Sequence, residues 1–130
     1  MTETLATSHL DAAITAGISA LAAATAHYDK LRGQTIEVPE WGSEGKPLVI
    51  YYDPITAAQA QTVTKRAKGS DARATALAVI LYSKDKAGKP IFTDDAPTLK
   101  TFENDVLPEV IARIGQAILG MSGRETDLGN

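Results

Sequence analysis

The chain of 130 residues contains no cysteine. That excludes disulfides, thiolate nucleophiles and thiolate zinc sites, the usual staples of small domains. Histidine is almost as scarce. His9 and His27 are the only two, and on one continuous helix they would lie roughly 27 Å apart. They cannot share a metal within one chain, and both read as ordinary surface residues. Aromatics make up 5% of the residues, so alanine fills much of the apolar fraction and the core is expected to be thin. Basic charge is not in excess: 13 Lys and Arg face 16 Asp and Glu, a formal net charge of -3. The field that drives phosphate-backbone binding is missing, so nucleic acid is not an expected partner. The longest apolar run, Ala76 to Tyr82, is far shorter than the ~20 residues that span a bilayer. Met1-Thr2-Glu3-Thr4 lacks the basic start of a signal peptide. A soluble protein of the cytoplasm with no membrane partner is expected. No Gly-rich phosphate loop, nucleophile elbow or metal-binding helix motif occurs. No enzyme activity, cofactor or metal is therefore expected.

What is present is a series of well-punctuated elements. The length fits one domain, and the pattern predicts an α+β fold, predominantly α-helical, with four or five helices and one short β-hairpin near residues 35–52. Leu10, Ile14, Gly17, Leu21, Ala24, Tyr28 and Leu31 recur at spacings of three and four, one stripe of a helix over about residues 9–32. Ser8 is its expected N-cap, with Asp11 in capping-box position, and Gly33 ends it. Thr35 to Val38 is a strand that Pro39 is expected to stop. Leu48 to Tyr52 is a second strand, joined to the first by a wide loop over 39–47. Asp53-Pro54 reads as a helix start, with Thr56 as a competing cap. That helix runs to about Lys68, and Ser70 or Asp71 caps the next, which is apolar around most of its circumference and so expected at the centre of the core. Leu99, Phe102, Val106, Leu107, Val110, Ile111, Ile114 and Ile118 form the cleanest amphipathic stripe of the chain, and Pro108 is expected to kink or split it. The polar stretch from Gly120 has no apolar period. The expected organisation is an N-terminal Ala-rich helix at 1–33, a core domain at 34–119 and a flexible tail at 120–130.

Other residue groupings have ready structural explanations. Ser83 to Asp94 is superficially like a calcium loop, but it contains three lysines and closes on Asp94 rather than a bidentate Glu, so a helix-to-loop turn is expected. The adjacent Asp94 and Asp95 read as helix caps. Lys65-Arg66-Ala67-Lys68 suits a helix C-terminus. Trp41 stands apart. As the only Trp, in a Gly/Pro-rich loop, it either folds back on the domain or serves as an interface anchor.

Two segments, Val38-Pro39-Glu40-Trp41-Gly42 and Gly88-Lys89-Pro90-Ile91-Phe92, carry a family resemblance. With the strand, buried helix and final apolar helix between and after them, residues 36–119 resemble the tail assembly chaperones of long-tailed, lambda-like (siphovirus) bacteriophages. The resemblance implies a non-enzymatic protein that binds the tape measure protein, keeps it soluble and helps recruit tail tube protein around it. It also implies work in the host cell cytoplasm, absence from the mature virion, and a longer frameshifted form of the same chaperone as a further partner. The Ala-rich segment before Thr35 lies outside the resemblance and is a candidate oligomerisation arm, so self-association is expected. The candidate protein-binding residues are Trp41, then Leu10, Ile14, Leu21 and Tyr28 on the first helix, and Leu99, Phe102, Val106, Val110, Ile114 and Ile118 on the last stripe, unless the core uses that stripe itself. A structural tail or connector subunit retained in the virion is the alternative.

Overall fold

The computed structural model describes residues 2–120, with side chains from Ala16 onward. The order of elements is α1 (Thr2–Lys30), β1 (Gln34–Ser43), β2 (Lys46–Tyr52), α2 (Ala57–Ala67), α3 (Asp71–Tyr82), α4 (Ala96–Asp105) and α5 (Pro108–Leu119). The fold is α+β and predominantly helical. Two compact units meet at Arg32 and Gly33.

The first unit is α1, a helix of 29 residues. It starts at Thr2, so Ser8 lies inside it and not at its cap. Ala, Thr, Ser and Gly make up 17 of its 29 residues, and from Ala16 to His27 every side chain is exposed.

The second unit is built on an antiparallel hairpin with pairs from Gln34↔Tyr52 to Val38↔Leu48. Pro39 does not end β1. The regular ladder stops at Val38 and resumes at Ser43↔Lys46, so Pro39, Glu40, Trp41 and Gly42 bulge out opposite Pro47. Both prolines thus sit where no ladder hydrogen bond is required of them. The strands then meet in a tight turn at Glu44-Gly45 rather than a wide loop, with Gly45 at φ +71°. Gly42 is required by contact: a Cβ there would collide with the backbone of Lys46, Pro47 and Leu48.

Thr56, not Asp53, caps α2, through a full capping box in which Gln59 N donates to Thr56 Oγ1 and Thr56 N to Gln59 Oε1. Asp53 is engaged elsewhere, accepting from Gly33 N at 3.0 Å and Lys84 Nζ at 3.2 Å. Ser70 caps α3 and Asp95 caps α4. The helix α3 is central. Its residues Ala76 to Ile80 are all buried, and it touches α2, α4 and α5. Its closest neighbour is α5, because Gly115 lets the two backbones approach; a Cβ there would come within 2.8 Å of the Thr75 carbonyl oxygen.

The last stripe is split as its proline requires. Val106 and Leu107 are extended, and Pro108 opens α5 without a side-chain cap before it. A residue before proline is disfavoured in the α region. Val38, Ile50, Val79, Ile80, Phe102, Val110, Ile114 and Ile118 share one core cluster. After α3 the chain runs back beside the hairpin. Lys84 exchanges two 2.8 Å backbone hydrogen bonds with Tyr51 and bridges onward to Pro90. This covers the outer edge of β2, which would otherwise be open to a foreign strand.

Candidate functional site

The bulge in β1 decides where Trp41 goes. Glu40 and Trp41 are thrown forward from the ladder, and each finds a partner on a different helix or loop. Glu40 makes a bidentate pair with Arg113 on α5, at 2.7 and 2.9 Å. Hydrogen bonding from Arg113 holds the Glu40 carboxyl down at about 2. Both side chains are more than 40% exposed, so the pair fixes geometry more than it adds stability. Trp41, half-buried, folds back on the domain. Its ring stands edge-on to Phe92 at 6.1 Å and to Phe102 at 6.2 Å, and those two rings meet at 5.1 Å and 90°. Edge-to-face contacts of this kind contribute about 0.5–1.5 kcal/mol each beyond burial.

The trio does not close over itself. Beside it lies an open, mainly apolar groove of about 440 Å³, walled by Trp41, Leu48, Phe92, Phe102 and Val106 and rimmed by Thr98 and Thr101. Behind Phe102 and Val106 is a second hollow of about 390 Å³, reaching Pro108 and Ile111 and bounded by the Arg73–Glu103 ion pair. Leu107, 62% exposed, stands at the α4–α5 junction between Val106 and Pro108. Two grooves, a half-buried Trp and an exposed Leu make a surface that can accept apolar side chains of a partner. The first groove is lined by apolar, aromatic and hydroxyl-bearing residues, types suited to contact with apolar side chains.

Of the candidate binding residues, Trp41, Phe102 and Val106 come together at this groove, with Leu99 partly buried beside the core. Val110, Ile114 and Ile118 are buried at 2%, 0% and 1% exposure. The core uses that part of the stripe. On α1, Leu21 is exposed and Tyr28 half-exposed, while the side chains of Leu10 and Ile14 lie outside the described residues. Phe92 and Leu48 are contributors that the sequence did not single out for binding. For Phe92 the signal was its rarity, one of two Phe in the chain.

Asp94, Asp95 and Asp85 are each held by structural contacts. Asp94 is not a cap. Its carboxylate takes both arms of the Arg66 guanidinium at 2.9 and 3.0 Å, which holds its pKa below the usual range. Arg66 is thereby taken from the basic cluster at the end of α2. Asp95 accepts from Thr98 N, and hydrogen bonding from the Thr98 side chain and then from this N–H lowers its pKa as well. Asp85, in the loop that superficially suits calcium, accepts instead from the backbone N–H of Ala87 and Lys89, both at 2.9 Å. Among the described residues no group of three potential ligands could hold a metal, and no helix is long and apolar enough to cross a membrane.

Comparison with known proteins finds no matching family model, no matching characterised protein and no matching solved structure.

Proposed function

We propose that the protein is a phage tail assembly chaperone that binds the tape measure protein, keeps it soluble and helps recruit tail tube subunits during assembly. In this reading it works in the host cytoplasm, as a self-associating protein alongside a longer frameshifted form, and leaves before the virion is complete. One observation carries the reading. The two segments that resemble the family, Val38–Gly42 and Gly88–Phe92, are fifty residues apart, yet Trp41 of one and Phe92 of the other wall the same open groove. A family signature whose aromatic residues converge on an unfilled apolar surface suits a binding role. A client that is one long helix presents apolar residues at intervals of three and four, and several weak copies along it build avidity.

The test is co-expression with the tape measure protein, followed by capture on the tagged chain. The wild-type chain is expected to retain the client in soluble form. Thr101→Arg puts a long charged side chain over the groove from an exposed position and is expected to reduce capture tenfold or more, with the thermal midpoint unchanged. A wild-type chain that neither captures nor solubilises the client would sink the reading. Abundant peptides of this chain in purified mature particles would replace it with that of a virion tail or connector subunit.

A further inference from the structure

Gly17 packs against nothing among the described residues. It lies in the middle of α1, where glycine costs about 1 kcal/mol relative to alanine, and a Cβ added there meets nothing within 4 Å. It also falls on the seam of Leu10, Ile14, Gly17, Leu21, Ala24, Tyr28 and Leu31, whose alternating spacings of four and three are those of a two-stranded coiled coil. In size the seam reads large, large, small, large, small, large, large, the same in both directions. Leu21 at its centre is 67% exposed, and Ile18 beside it is 64% exposed. A helix of this composition, rich in Thr and Ser and carrying a central Gly, is marginal without an apolar surface to pack on.

We infer that α1 pairs antiparallel with α1 of a second copy of this chain, Leu21 against Leu21, with Gly17 of each copy facing Ala24 of the other. The charges select the direction. The first half of the helix carries Glu3 and Asp11 and no Lys or Arg, whereas its last turn carries His27 and Lys30, with its one acid, Asp29, paired to Arg32 at 3.8 Å. Centred on Leu21, the antiparallel register sets Asp11 near Lys30 of the other copy, Ile14 near Tyr28 and Leu10 near Leu31. A parallel pair would align the helix dipoles and set Asp11 beside Asp11 and Lys30 beside Lys30. The small Gly17–Ala24 layers bring the backbones close and let the large layers interlock. This gives a geometry to the proposed self-association, and it does not depend on the client reading; a pair that forms without client binding leaves it intact.

The chain has no native cysteine, so disulfide trapping in the full-length protein reads the arrangement directly. Ile14→Cys and Tyr28→Cys are made separately. In the antiparallel register, two copies of either cysteine lie roughly 21 Å apart, beyond the ~7 Å that a disulfide spans, whereas the mixed pair is in reach. An equimolar, re-equilibrated mixture is expected to give the mixed cross-link at least tenfold over either variant alone. Cross-linking of each variant with itself as readily as in the mixture overturns the antiparallel arrangement, and no cross-link in any sample overturns the pairing. Gly17→Leu is expected to weaken the dimer at least tenfold by sedimentation equilibrium, with the Trp41 emission of the second unit unchanged. An equally tight dimer overturns the close approach at Gly17.

Discussion

Gly17 and Gly115 both sit inside α-helices, and their surroundings are opposite. At Gly115 the missing Cβ is filled by Thr75 of a neighbouring helix; at Gly17 it is open space. The same contrast runs through the two regions that contain them. The helices α3 and α5 bury five residues each, so their stability comes from tertiary contact within the chain. On α1 every described side chain from Ala16 to His27 is exposed, so this part of the helix gains little from burial in the described structure. In the pairing proposed for α1, the 3–4 spacing that encodes a fold in the second unit would encode an association in the first.

The sharpest way to break this contrast is to truncate matched apolar residues. Ile114 is 0% exposed and Leu21 is 67% exposed. Ile114→Ala should destabilise the second unit by about 2–5 kcal/mol, the usual range for a buried aliphatic deletion. Leu21→Ala, in protein diluted until it is monomeric, should change unfolding by less than ~0.5 kcal/mol. Denaturant titration followed by Trp41 emission measures both. Comparable losses at the two sites would mean that α1 is part of the folding core.

The glycines themselves give the next largest effect. In Gly115→Val the first branch atom already collides with the Thr75 backbone, and neither helix can yield without disturbing Ile114 and Ile118. A loss of about 2 kcal/mol is expected, within the range for overpacked cores. Gly17→Ala should instead raise the helicity of dilute protein, with a local gain of up to about 1 kcal/mol. Circular dichroism across a dilution series checks the sign. A loss of helicity in Gly17→Ala at every concentration would show that the open space at this position is already occupied within one chain.

Local signals made much of the fold legible. The Pro108 split, the Ser70 and Asp95 caps and the central place of α3 each depend on residues within a turn or two of one another. Where the reading failed, a distant partner had intervened. Asp53 is a better cap by residue type than Thr56, but Gly33 and Lys84 hold its two oxygens. Pro39 breaks a strand only where its missing N–H is needed, and the bulge opposite Pro47 removes that need. Asp94 follows the pattern of a cap but reaches Arg66, 28 residues away. The candidate site was legible in part for the same reason. Periodicity marked Phe102, Val106, Val110 and Ile114 as one face but could not say which of them the core would cover. The meeting of Trp41 with Phe92 follows from a bulge and a loop crossing that no local pattern contains.

The smallest expected effect tests how firmly the bulge is tied to α5, and thus how far the groove belongs to the rigid region of the contrast. Glu40 has its pKa lowered from 4.5 to about 2 by the Arg113 hydrogen bonds. A carboxyl depressed in the folded state contributes stability above its unfolded pKa and loses it as pH falls through the folded value. The contribution should therefore be complete above about 4.5 and vanish toward about 2. The pair is exposed, so the effect is small and screened by salt. The measurable outcome is a difference: Glu40→Gln should unfold with a shallower pH dependence over that window than the wild type, and the gap between them should narrow in high salt. Trp41 emission near pH 7 should shift slightly to the red in Glu40→Gln if the pair holds the indole over Phe92 and Phe102. An unshifted emission with an altered pH profile would mean that the aromatic trio alone positions Trp41, and that Arg113 contributes charge but no geometry to the groove.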